Sequence, residues 1–168
     1  MPAISSPAAF PITSRIDAFA LLGAHDAWAV GDYQQAVGDT GVVYSGGPIA
    51  YHWDGSAWRQ VPVPNNSRVV SGMSTVPGWG LSVLAVFSPT SILAMGGGGT
   101  SHFTLWNGKR WTVVPTVAAP GAPVDQRSIT GMSALNTQDI WAVGGFGPDV
   151  VDHWSGRLWH PLPYIPAG

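Results

Sequence analysis

His52-Trp53-Asp54-Gly55-Ser56-Ala57-Trp58 decides how this chain is read, because the stretch returns twice in altered form. The second copy is Leu105-Trp106-Asn107-Gly108-Lys109-Arg110-Trp111, and the third is His153-Trp154-Ser155-Gly156-Arg157-Leu158-Trp159. In each, two tryptophans flank a polar–glycine pair at constant spacing. A hydrophobic–proline pair then follows, as Val61-Pro62, Val114-Pro115 and Leu162-Pro163. Asp-Gly and Asn-Gly between short apolar runs are hairpin signals, and a type I′ turn requires positive φ at both central residues. Ser155-Gly156 is a weaker version of the same signal. The two tryptophans of each copy therefore fall on adjacent antiparallel strands.

Upstream of each hairpin lies a second recurring element. It reads Asp26-Ala27-Trp28-Ala29-Val30-Gly31, Ser91-Ile92-Leu93-Ala94-Met95-Gly96 and Asp139-Ile140-Trp141-Ala142-Val143-Gly144. Each is a short apolar strand ended by glycine. Leu93 to Trp106 and Trp141 to Trp154 are both 13 residues, whereas Trp28 to Trp53 is 25, so the first copy carries a 12-residue insertion within 33–47. An arginine before an apolar run opens each copy, as Arg15-Ile16, Arg68-Val69-Val70 and Arg127-Ser128-Ile129. Each copy thus contains four strands. Trp58 to Trp111 is 53 residues and Trp111 to Trp159 is 48, a period that suits the blade of a β-propeller. The expected fold is all-β: three four-stranded antiparallel blades over about 15–64, 68–115 and 127–163, within a single repeat domain spanning 1–168.

The pattern D-x-W-A-V-G followed by H-W-x-G-x-x-W and proline resembles the tryptophan-rich repeat of bacterial β-propeller proteins, which is distantly kelch-like. The resemblance covers residues from about 15 to 163. It implies a propeller fold and says almost nothing about activity. The second copy departs most, with Leu93 and Met95 in place of tryptophan and valine. The polar-Gly-x-x-Trp stretch is also similar to the Asp-box of sialidase-like propellers, but that box needs another residue between Asp and Gly.

Composition agrees with a strand-rich chain. The 168 residues are enough for one domain with a core, and 45% are hydrophobic. Charged residues make up 10%, with a single lysine (Lys109) and no glutamate. Strong helix formers are scarce, while glycine, proline, valine, threonine and tryptophan abound. The net charge is −2 with no basic patch, which argues against nucleic acid as a partner. No run of 18 apolar residues suggests a membrane span. Residues 1–7 lack the basic and apolar regions of a signal peptide. Cysteine is absent, so neither a disulfide nor a thiolate zinc site can form. The shortage of lysine and glutamate points towards an extracellular or surface protein without fixing the compartment.

A propeller closes with typically four to eight blades, and three would leave open edges that invite pairing. The expected partners are therefore a second copy of the chain, closing or extending the ring, or further blades of a longer chain.

Eight of the nine tryptophans recur at repeat positions and are expected to pack between blades. Trp79, in Pro77-Gly78-Trp79-Gly80, stands outside the repeat. Loops on a rigid scaffold often carry binding, so the insertions supply the candidate ligand residues: Trp79, Tyr33, Tyr44 and Asp39. Whether the Trp79 stretch joins two blades or splits the opening strand of the second is left open. His52 and His153 recur one per blade and are expected to be structural, since a metal site needs several converging ligands. Asp26 and Asp139 are expected to bond backbone amides in the turns before their strands, with Ser91 doing so more weakly. Asp149 and Asp152 lie close to His153 in the sequence, but no base or nucleophile recurs at a matching repeat position. Gly96-Gly97-Gly98-Gly99-Thr100-Ser101 lacks the lysine of a phosphate loop. Arg15, Arg68 and Arg127 are expected to pair with acids or carbonyls at blade junctions. No catalytic, metal or cofactor constellation emerges. The reading is a non-enzymatic module for structural self-assembly or protein interaction. The alternative is a lectin-like, glycan-binding propeller that uses the insertion aromatics.

Overall fold

A computed structural model describes residues 12–37, 43–64, 80–96, 102–115, 117–118, 129–144 and 150–162. Among these the chain is entirely β-structure. No helix is present there, and so none long and apolar enough to cross a membrane. The first sheet contains β1 (Ile12–Gly23), β2 (Asp26–Val37), β3 (Val43–Trp53) and β4 (Trp58–Val61), in that order. The second contains β5 (Val83–Ser88), β6 (Ser91–Met95), β7 (His102–Trp106) and β8 (Trp111–Pro115). The short β9 (Val117–Ala118) precedes the third, made of β10 (Ile129–Asn136), β11 (Asp139–Gly144), β12 (Val150–Trp154) and β13 (Leu158–Pro161). All pairings within the three four-strand units are antiparallel.

The same local chemistry builds each sheet. The first turn follows a β-bulge in every case, at Leu21/Gly23, Val86/Ser88 and Ala134/Asn136, and bulges strengthen the twist of a strand pair. Gly31 within β2 and Gly96 just after β6 are glycines for lack of room: a Cβ would overlap the backbone carbonyl of Arg15 or of Gly80.

Two expectations are corrected. The hairpins are not type I′ turns, because only the glycines have positive φ (92° at Gly55, 86° at Gly108, 85° at Gly156). The preceding Asp or Asn acts instead through its side chain. Asp54 Oδ1 accepts from the amides of Ser56 and Ala57 at 2.9 Å each, and Asn107 Oδ1 accepts from those of Lys109 and Arg110 at 3.0 Å. These are Asx turns, and they need positive φ at one residue only. The expected opening of the second copy at Arg68 lies outside the described residues; the first described strand of the second sheet is β5, from Val83. Trp79 also lies outside the described residues. The insertion of the first copy is largely strand rather than loop. Tyr33 pairs with Gly47 and Ala36 with Tyr44, so the added residues lengthen β2 and β3.

The linker after the second copy also contributes structure. β9 runs parallel to β13, with Val117 opposite Leu158 and Ala118 opposite Trp159. It covers the outer edge of the third sheet and extends it to five strands, a protection that exposed edges commonly need.

The three sheets pack face to face, with the second in the middle. Strand alternation gives every sheet two faces. Ile92, Ala94 and Trp111 point to the first sheet, where they meet Trp28, Val30 and Ala50. Leu93, Met95 and Phe103 point to the third sheet, where they meet Ile140, Ala142, Trp154 and Trp159. Two hydrogen bonds from the residues just before β5 tie the second sheet to its neighbours. Leu81 N donates to Gly31 O at 3.0 Å, and Ser82 Oγ donates to Ile129 O at 2.6 Å.

Candidate functional site

Each sheet carries a face of one kind and a face of another. The first kind, the W-type face, holds the third and fifth residues of the D-x-W-A-V-G element: Trp28 and Val30, Leu93 and Met95, Trp141 and Val143. The second, the hairpin face, holds the alternate positions together with the hairpin tryptophans, which stand opposite them across the ladder. In the second sheet Ile92 pairs with Trp106, and Trp106 with Trp111. Both internal junctions obey one rule: the W-type face of one sheet packs on the hairpin face of the next.

At the first junction Trp28 inserts against the hairpin pair. Its ring lies 4.8 Å from Trp106, and 5.4 Å from Trp111 at an interplanar angle of 86°. At the second junction the tryptophan of the W-type face is replaced by Leu93, and Phe103 meets Trp154 edge-on at 5.4 Å and 85°.

The rule leaves two faces uncovered. The third sheet turns the W-type face carrying Trp141, Val143 and His153 outward. The first sheet turns outward its hairpin face, with Phe19, Leu21, Trp53 and Trp58. Equivalent tryptophans measure the difference. Trp28 is 1% exposed, whereas Trp141 at the same position is 41% exposed. Trp111 and Trp159 are 2% and 5% exposed, whereas Trp58 is 40% exposed. Phe19, Leu21 and Val143 are exposed as well. The first-sheet patch is continuous: Phe19 meets Trp58 at 6.1 Å, and Trp58 lies 5.8 Å from Trp53.

The uncovered W-type face is held rigid. His153 Nε2 lies 2.9 Å from Asp139 Oδ1, and its ring stacks on Trp141 at 4.5 Å and 28°. The first sheet repeats the set: His52 Nε2 is 2.9 Å from Asp26 Oδ1 and stacks on Trp28 at 4.7 Å and 26°. Asp26 and Asp139 thus take the histidine of the neighbouring strand as partner, where a backbone amide was expected. Sequence reasoning treated these residues singly. The signal that joins them is that the second copy replaces all three at once, with Ser91, Leu93 and Leu105.

Charge is sparse around both faces. Arg15 pairs within its own sheet, with Nε 2.8 Å from Asp17 Oδ1 and Nη2 3.1 Å from Asp32 Oδ1. Burial pushes the Asp32 carboxyl above its ordinary range, Arg15 pulls it down and Asp17 pushes it up. Arg68 and Arg127 lie outside the described residues.

The candidate ligand residues are not assembled into one described site. Tyr33 lies in β2, half-buried, between Ser14 and Gly47. Tyr44 is in β3 opposite Ala36. Asp39 and Trp79 lie outside the described residues, as does Asp149. Among the described residues no group of three or more His, Cys, Asp or Glu side chains could hold a metal ion. No protein-family model matches the chain, and no curated protein is significantly similar to it.

Proposed function

We propose that the three sheets are blades of an open β-propeller serving as a non-enzymatic module for structural assembly or protein interaction. One observation carries the reading. The two outermost faces have the residues of an interblade junction, yet their tryptophans are 40% and 41% exposed where covered equivalents are 1–5% exposed. Each fully buried tryptophan removes about 150–250 Å² from water. At about 25 cal/mol per Å², covering the exposed part of one contributes roughly 2 kcal/mol. Exposed apolar patches of this kind mark interaction surfaces.

The test is the native mass in solution across a hundredfold range of concentration, measured by light scattering after size exclusion. Masses above the 17.6 kDa of one chain are expected. A chain that stays monomeric throughout, and whose outer tryptophans are no more quenchable by acrylamide than the buried ones, would sink the reading.

A further inference from the structure

We infer that the partner of each uncovered face is the opposite face of a second copy of this chain. In that contact Trp141 of one copy enters the Trp53–Trp58 hairpin of the other. The inference rests on the interaction-module reading and specifies its partner and register.

The template is inside the molecule. At the first internal junction a rigid Asp–His–Trp set, Asp26–His52–Trp28, presents its indole to a hairpin pair, Trp106 and Trp111. The third sheet carries the same set as Asp139–His153–Trp141, with the stacking distance changed by only 0.2 Å, from 4.7 to 4.5 Å. The first sheet carries the same hairpin pair as Trp53 and Trp58. Their rings are 5.8 Å apart at 47°, against 5.8 Å and 48° for Trp106 and Trp111. Val143 likewise repeats Val30, and Ala27 and Ala29 stand where Ile92 and Ala94 stand. Both halves of a junction that the chain already forms are therefore displayed, uncovered, at its two ends. The second internal junction is a poorer template, because Leu93 and Leu105 replace the tryptophan and histidine there. The two halves differ, so the contact is head-to-tail, and two copies that satisfy both halves close on themselves.

A heterologous contact makes a specific demand on variants. Trp141→Ser removes one half of every junction, and Trp58→Ser removes the other. Either alone should weaken association by roughly thirtyfold or more, as loss of a central interface tryptophan does. Mixed one to one, they should form a heterodimer in clear preference to either homodimer, because only the heterodimer keeps one junction with both halves, and it should bind more weakly than the wild type, which keeps two. Val143→Asp and Leu21→Asp, at exposed positions of the same two faces, repeat the experiment should a tryptophan variant fold poorly, with near-ultraviolet circular dichroism as the check. Native mass spectrometry of an isotope-labelled and an unlabelled variant reads the result. Restored heterodimer supports the inference. A wild type that assembles while both variants assemble equally well overturns it and spares the module reading. So does a mixture in which neither variant rescues the other. A wild type that is monomeric at every concentration overturns the inference, and overturns the module reading as well if its outer tryptophans are no more quenchable than the buried ones.

Discussion

Asp54 shows how much one side chain can hold in an exposed turn. Its Oδ1 accepts from Ser56 Oγ at 2.7 Å and from two backbone amides, while Oδ2 accepts from Arg59 Nε at 2.7 Å. The hydrogen bond from the Ser56 side chain, then Arg59 and the amides, hold its carboxyl well below the ordinary carboxylate range. A depressed folded-state value means stability that is present above the unfolded value, about 3.9, and is lost as pH falls below it. Asp54→Asn keeps a turn acceptor, as Asn107 demonstrates, but cannot titrate. The gap in urea midpoint between wild type and Asp54→Asn should therefore shrink between pH 7 and pH 2, and a constant gap would refute this account. Gly108 makes a second residue-scale demand. At φ 86° any other L-residue is strained, and an added Cβ would meet Thr90 Cγ2 at 2.8 Å. Gly108→Ala should cost about 1–2 kcal/mol in chemical denaturation. The Asp26–His52 pair makes a third. Because the second copy replaces both residues together, Asp26→Ser and His52→Leu should couple by about 0.5–2 kcal/mol in a double-mutant cycle. Additivity within a few tenths would show that the pair is incidental.

At the scale of the element, one position in one strand pattern has two fates. Trp28 in β2 is sandwiched by the next sheet, and truncating it to alanine should cost about 3–5 kcal/mol. Trp141 in β11 stacks on its histidine as Trp28 does, but no described sheet lies beyond it. In monomeric protein, Trp141→Ala should cost less than half as much by urea denaturation. Equal costs would mean that the strand's own contacts, and not the facing sheet, hold these indoles. The strands themselves were legible because each apolar run ends at glycine or at an Asx turn. The type I′ assignment failed because Asp-Gly and Asn-Gly serve two turn chemistries, and only a φ value separates them. The lengthening of β2 and β3 was readable in principle, since Gly38-Asp39-Thr40-Gly41 is itself a turn signal inside the insertion. The uncovered faces were not readable locally. Every sheet is apolar on both sides, and only the order of the sheets decides which side meets water.

The whole molecule is a stack of three sheets with an apolar face exposed at each end, and the proposed pairing of those faces makes its stability a matter of concentration. If folding is coupled to pairing, mass action adds about 1.4 kcal/mol per dimer for each tenfold rise in concentration. Unfolding two chains of 168 residues carries an entropy of about 0.7 kcal/mol per kelvin. The thermal midpoint of the wild type should therefore climb by about 2 °C per tenfold concentration. Val143→Asp places a charge at the centre of the W-type face without touching either internal junction. Its midpoint should be independent of concentration and should match the wild type's at the dilute limit. Differential scanning calorimetry over two decades of concentration separates the cases. A flat wild type means that the end faces contribute nothing between copies. A Val143→Asp midpoint that still climbs means that the chain pairs through some other surface. A rise confined to the wild type, converging with the variant on dilution, ties the stability of the stack to the covering of its last tryptophan.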